Sequence, residues 1–598
     1  MRVCLNGMNF ELLAETGVTR SPMQEWSEQI RTDGNQQRKD RVFISSWSID
    51  DWSGGLGVNE VKVGSTANLK RIWDAENVDT RFDQMVLSPE FNTCTIVPSN
   101  ASIQHFLQYL TELYLVTGSG ANMAYKFTAP FTIGSFSHVA THPNYGNVRA
   151  VKAIGNKIGM LYYNSGEGFE YARVNRLSGV PSRTLLTPTF SHAEMAVVGG
   201  TLLAMAYDQT SKNAHFYIAS DDFAAFTAVA TLPTTIGSYL AEIVDDGITA
   251  YAQLPEGVYD FDNTPNQVIS TSRSQDKNNV QTMYGNKLYF KNKQSLLGYD
   301  GVDIANVGYD RNDGLPSDKM GEITAMASSW KFNFAAVHGP TYSHILSYDG
   351  AAWQYYARVP SPGLWVKKML LSDAPDAIDR LWLIYGNYQF PGYFLNPMVN
   401  PLQAATYSHV PTGHVTFPAY GGDMPEESGA YFREKYNFSG MGGSNIITAQ
   451  YGLNGAAAVT TLGVVATNEY THLFGSPYGV EASKIMPKYI LAGANSGTTP
   501  IFKQAVIEYL KDPDKRSIFD FTVDIDATSQ FGRTSKEAVI GSLNYALDKK
   551  TMMPFWYGQM GTRHVKVLDM PSGEEVKIQT PLEQQREGLV QVRLVEVL

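Results

Sequence analysis

A chain of 598 residues, at about 150 residues per domain, has room for two to four well-cored domains, which excludes a small scaffold stapled by disulfides or metal. Apolar residues make up 43% and charged residues 18%, with 52 Gly and 34 Tyr, a balance that points to a turn-rich all-β protein. The net charge of -11, with no cluster of Lys and Arg, excludes a phosphate-binding surface as the main business and so nucleic acid as the partner.

Residues 1–99 are expected to form an N-terminal anchoring segment. Met1 to Thr16 lacks the charged and apolar regions of a secretory signal, and Cys4 and Cys94 are too few for a disulfide framework or a four-ligand zinc site. Both thiols are read as buried and inert, and the chain as soluble, without a membrane span and made in a cytoplasm. Trp26-Ser27-Glu28 and Arg41-Val42-Phe43-Ile44 precede Trp47-Ser48-Ile49-Asp50-Asp51-Trp52-Ser53-Gly54-Gly55-Leu56-Gly57. Two tryptophans five apart beside Gly-Gly-x-Gly read as an aromatic anchor on a tight bend, since no Lys-Ser/Thr follows to make a phosphate cradle.

That stretch, with Arg71-Ile72-Trp73 and Leu87-Ser88-Pro89 after it, resembles the opening of minor tail proteins of long-tailed bacteriophages. The resemblance covers about the first 90 residues. It implies a virion structural chain of the tail or tail tip, present in several copies, with other tail proteins as partners and a propeller following the entry segment. It also allows contact with a host-surface glycan or protein during host attachment.

A seven-membered beat follows in residues 100–395. Apolar strand cores recur at Leu113–Val116, Ile158–Tyr162, Leu202–Ala206, Ile248–Ala252, Leu288–Phe290, Phe334–Val337 and Leu381–Tyr385, with turn clusters between them. The clearest repeat spans Tyr284 to Val359, where Leu297-Gly298-Tyr299-Asp300-Gly301 and Leu346-Ser347-Tyr348-Asp349-Gly350 close equivalent strands. This is the grammar of a propeller of roughly seven blades.

Beyond residue 395 the beat stops. Alternating strands at Ala430–Phe438, Ile446–Tyr451, Pro487–Ala492 and Phe519–Asp526 predict a β-sandwich over 396–527. Residues 528–598 read as a small α+β module, with a helix over Ser535–Lys549 capped by Ser535, strands near Val565–Leu568 and Leu589–Leu598, and a turn at Pro571-Ser572-Gly573. The parity break at Val595 predicts a bulge or burial on both faces. The fold class is thus all-β and multidomain: propeller, sandwich and α+β end.

Several stretches carry residue types that could do chemistry. Asp310-Arg311-Asn312-Asp313-Gly314 lacks the EF-hand spacing and its closing Glu, so it reads as an Asx-rich turn. Asp520, Asp524 and Asp526 share one face of an expected strand and read as a solvated face. Ser220-Asp221-Asp222-Phe223-Ala224-Ala225-Phe226 resembles the Asp-box turn of sialidases but lacks its glycine and tryptophan. A carbohydrate-binding or carbohydrate-cleaving propeller is therefore the alternative reading. The aromatics Tyr355, Tyr356, Trp365, Trp382, Tyr385, Tyr388 and Phe390 suit contact with protein or glycan, or packing between blades. No catalytic, cofactor-binding or metal residue is nominated.

Overall fold

The computed structural model describes residues 2–5, 7–12, 18–22, 45–62, 65–96 and most of 103–596. The longer stretches left out of the latter are 118–123, 136–146, 176–181, 187–191, 220–225, 235–241, 271–279, 423–427, 512–516 and 568–588. The protein is all-β and multidomain, with a seven-bladed propeller at its centre.

Each blade is an antiparallel meander, with strands lettered here A (innermost) to D. The A strands are Ile103–Tyr109, Asn147–Ile154, His192–Val198, Glu242–Asp245, Gln281–Tyr284, Glu322–Ser328 and Val366–Ser372, defining blades 1 to 7. The seven expected cores fall on the B strands, for example Glu112–Thr117, Lys287–Asn292 and Arg380–Tyr385. One boundary differs. The fourth B strand is Ala250–Leu254, and Ile248 stands in the preceding turn, 79% exposed.

The two Tyr-Asp-Gly segments build the same C–D turn. Asp300 Oδ1 accepts from the amides of Val302 and Asp303, as Asp349 Oδ1 does from Ala351 and Ala352. Tyr299 and Tyr348 donate their hydroxyls to the carbonyls of Gly301 and Gly350, glycines at φ +96° and +99° that only a residue without Cβ adopts cheaply.

The ring closes with chain from outside it. Blade 7 takes A, B and C strands from Val366–Leu395 and its outer strand from Asn92–Thr93, paired antiparallel with Phe390–Leu395. Thr95–Ile96 then pairs with the outer strand of blade 1, Thr132–Ser135. Trp382 of blade 7, fully buried, packs on Phe127 (4.5 Å between ring centroids) and Phe131 of blade 1 across the closure.

Residues 1–99, expected as one anchoring segment, are instead dealt out over the whole molecule. Arg2–Leu5, Met8–Glu11 and Val18–Pro22 belong to the C-terminal sheet, Ser45–Ile49 and Asp74–Glu76 are edge strands of the two sandwich sheets, and Asn92–Thr93 closes the propeller. In the sandwich, Ser45–Ile49, Ile501–Lys511, Gly429–Ser439 and Glu469–Leu473 face a sheet of Thr460–Val465, Ile446–Leu453, Ile485–Ala492, Thr412–Thr416 and Asp74–Glu76.

The strand expected at Phe519–Asp526 runs Ser517–Asp524 and lies in the C-terminal sheet, not the sandwich. It stops because the Asp524 carboxylate accepts from the Ala527 amide and caps helix α1, Ile525–Gly532. Helix α2, Lys536–Asp548, follows, with Ser535 Oγ accepting from the Ala538 amide. The final strand, Leu589–Glu596, keeps an unshifted register with Ser517–Asp524 through Val595, so of the two outcomes expected there the bulge is absent, and the burial of the Val595 side chain lies outside what is described. A bridge between Leu12 and Val523 brings the two edges of this sheet together around a core of Val3, Phe10, Phe521, Phe555, Val592 and Leu594.

Candidate functional site

The aromatic-glycine stretch is where propeller and sandwich become one body. Trp47 packs inside the sandwich against Tyr420 (4.7 Å between centroids), while Trp52 turns its edge to Phe502 and donates Nε1–H to the Phe82 carbonyl at 2.8 Å. Gly55–Leu56 pairs with Arg71–Ile72, and a Cβ on Gly55 would stand 2.2 Å from the Trp353 carbonyl oxygen on the outer strand of blade 6. The tight bend expected at these glycines is thus one of close backbone approach. One hydrophobic cluster runs from Leu296 and Tyr355 of the blades through Trp52 and Ile72 to Phe417 and Tyr489 of the sandwich.

Ions are buried at this seam. Lys319, 3% exposed, places its ammonium 2.9 Å from Asp74, 2.9 Å from Asp318 and 3.4 Å from Glu76. His414 of the sandwich reaches Asp74 at 2.9 Å, and Arg358 of blade 6 pairs with Glu76. Burial opposes the Asp74 charge, but His414 and Lys319 outweigh it and hold the carboxyl well below its usual range. The Lys319 ammonium thus sits among three carboxylates, those of Asp74, Glu76 and Asp318. The side chains of Asp79 and Arg81 are wholly buried, joined at 2.7 and 2.9 Å, with the guanidinium 4.1 Å over the Tyr356 ring. Beside them opens a cleft of 420 Å³ lined by Phe82, Asp83, Gln84, Asn400, Leu402 and Gln403.

The propeller bore is polar. Lys368 of blade 7 reaches Glu194 of blade 3 at 3.5 Å, and since blades 1 and 2 lie between them this pair spans the channel. Burial, then the Lys368 and Arg149 charges, push the His105 imidazole down to about 3, and burial with Arg149 takes His192 down to about 4. Both are therefore neutral near pH 7, and the Lys368–Glu194 pair ties blade 7 to blade 3 across the channel.

In the sandwich core Glu434, 1% exposed, accepts hydrogen bonds from Tyr489 Oη and from Tyr436 Oη at 3.2 Å, and His472 Nδ1 lies 3.1 Å from the Tyr436 hydroxyl. Burial raises its carboxyl to about 7 against the hydrogen bonds from the tyrosines.

The stretches weighed from sequence fall mainly into structural places. Asp313 accepts from the Asn59 amide and Asp310 from Ser295, so that turn ties blade 5 to the entry segment. Asp524 and Asp526 do not share a strand face, because one caps α1 and the other lies in its first turn. Residues 220–225 of the Asp-box-like stretch, Trp26-Ser27-Glu28, Arg41–Ile44, Tyr388 and the Pro571–Gly573 turn lie outside the described residues, and Phe226 opens the outer strand of blade 3. Tyr355, Tyr356, Trp382 and Tyr385 are buried, Trp365 lies against His338, and Phe390 is 44% exposed against Tyr385. Cys4 and Cys94 are half-buried free thiols, the latter pushed up to about 12 by burial. Among the described residues no group of three or more His, Cys, Asp or Glu is placed to hold a metal ion, and no helix is long and apolar enough to cross a membrane.

Lys319, Arg81 and Glu434 escape a reading of the sequence. Glu434 leaves one sign, standing in step with Tyr436 and Phe438 on the inward parity of its strand.

No family model and no curated protein sequence matches the chain. Similar solved structures include the β-propeller domain of Myceliophteria thermophila Cps50 (Swd1), 9% identical, with 51% of this chain and 99% of that one covered and a TM-score of 0.37. The RRP9 WD40 repeats are 7% identical, with 52% and 100% covered and a TM-score of 0.37. Hydrazine synthase of Kuenenia stuttgartiensis is 15% identical, with 49% and 96% covered and a TM-score of 0.35. These are likenesses of the propeller fold and bear on neither activity nor partner.

Proposed function

We propose that this chain is a structural protein of a tailed-phage virion, made in the host cytoplasm and assembled in several copies into the tail or tail tip, with its propeller available for host-surface contact. We assign it no enzymatic role. One observation supports this reading above the others: the residues of the tail-protein resemblance, Trp47–Gly57, Arg71–Trp73 and Leu87–Pro89, lie along the propeller–sandwich seam. Trp52, Gly55 and Ile72 pack there, the Trp73 amide donates to Thr416 of the sandwich, and Ser88 Oγ donates to the Tyr356 carbonyl of blade 6. A resemblance carried by architecture-bearing residues fits a protein whose work is architecture.

Quantitative mass spectrometry of purified particles, with antibody labelling in the electron microscope, tests it. The expected result is a fixed copy number per particle and label on the tail. Absence from particles overturns the proposal, as does release of sugar from host glycans by the purified protein that one carboxylate substitution abolishes.

A further inference from the structure

We infer that the face of the propeller formed by its A–B and C–D turns is a docking surface for a basic protein partner that presents apolar side chains among its Lys and Arg residues. In an antiparallel meander these two turns leave the same end of a blade, and the described turns of blades 4, 5, 6, 7 and 1, which follow one another round the ring, lie side by side on that end. Large apolar side chains stand exposed at their tips: Leu110 (63%), Ile248 (79%), Val302 (85%), Trp330 (82%) and Ile378 (38%), from blades 1, 4, 5, 6 and 7. Isolated exposed apolar residues are ordinary, but turn tips favour Gly, Asn, Asp and Ser. Leu110 is also held at φ +52°, a left-handed conformation a leucine adopts only with strain, so local folding explains neither its identity nor its exposure.

Charge selects the occupant. The same turns carry Asp246, Asp262, Asp303, Asp349 and Asp373, all exposed, while Lys287 and Asp300 offset one another, Arg311 donates to the Ala351 carbonyl and Lys331 to that of Met398. An acidic face repels its own copy placed face to face, and it repels anionic lipid and nucleic acid. A surface of Lys and Arg around apolar side chains complements both features at once. The face also continues toward the seam cleft: Lys331, next to Trp330, lies 5.0 Å over Phe82 in the cleft wall.

The test uses the full chain and three probes: an amphipathic peptide of lysine and leucine, its glutamate-leucine counterpart, and phosphatidylglycerol vesicles. The lysine-leucine peptide is expected to bind more weakly as salt rises, and to bind the combined Ile248→Ser, Val302→Ser, Trp330→Ser variant about tenfold less tightly or worse. If that variant melts differently from the parent, the single Trp330→Ser variant carries the comparison. Equal binding of the lysine-leucine peptide to variant and parent overturns the inference. So does variant-sensitive binding of the glutamate peptide or the vesicles, or self-association that the variant abolishes.

Discussion

Glu434 shows what one buried proton does to a sandwich. Its carboxyl titrates near 7 in the folded chain against 4.5 in the unfolded one, so between those values the folded state holds a proton that the unfolded state has released. Stability from this group is complete below pH 4.5 and is lost as pH rises through about 7, a change of about 3 kcal/mol at most. Glu434→Gln, which carries no titrating proton, is expected to flatten that slope, so that melting at pH 5 and pH 8 differs less than in the parent. An unchanged slope would place the effect elsewhere. Asp74 has the opposite sense: its carboxyl is held low by His414 and Lys319, so its contribution is present above 3.8 and lost on acidification.

Among the elements, the Gly54–Gly57 turn does most to hold the seam together. Gly55 combines φ +71° with backbone contact too close for any Cβ, and neither condition relaxes without moving the outer strand of blade 6. Gly55→Ala is therefore expected to lower stability by about 2 kcal/mol or more, read as a fall in urea midpoint at unchanged slope. The strands themselves were legible: seven apolar cores at a regular beat and two Tyr-Asp-Gly closures are local patterns, written wherever a B or C strand lies. What the pattern concealed is pairing between distant parts of the chain. Nothing in Arg2–Leu5 marks Met553–Tyr557 as its neighbour, and Asn92–Thr93 is too short to announce itself as the last strand of a ring. The seam ions were hidden for the same reason, since Lys319, Asp74 and His414 meet only after three separate segments have folded.

At the scale of the whole molecule, the two ends of the chain share one core. Leu594 is fully buried between Phe519 and Val567 in that sheet, so Leu594→Asp is expected to cost on the order of 3 kcal/mol or more and to expose the terminal module to limited proteolysis. Proteolysis no faster than in the parent would show that the module holds without that contact. The shared core also sets an order on manufacture. Strand Arg2–Leu5, with Met8–Glu11 hairpinned onto it, pairs with Met553–Tyr557, and Leu12 bridges Val523, so these segments wait for partners that are made about 500 residues later. At about 5–20 residues per second, the intervening chain of some 500 residues takes about 25–100 s to make. For that interval Val3, Leu5 and Phe10 stand without the distant half of the core that buries them, and the half-made chain carries that unburied surface wherever it goes.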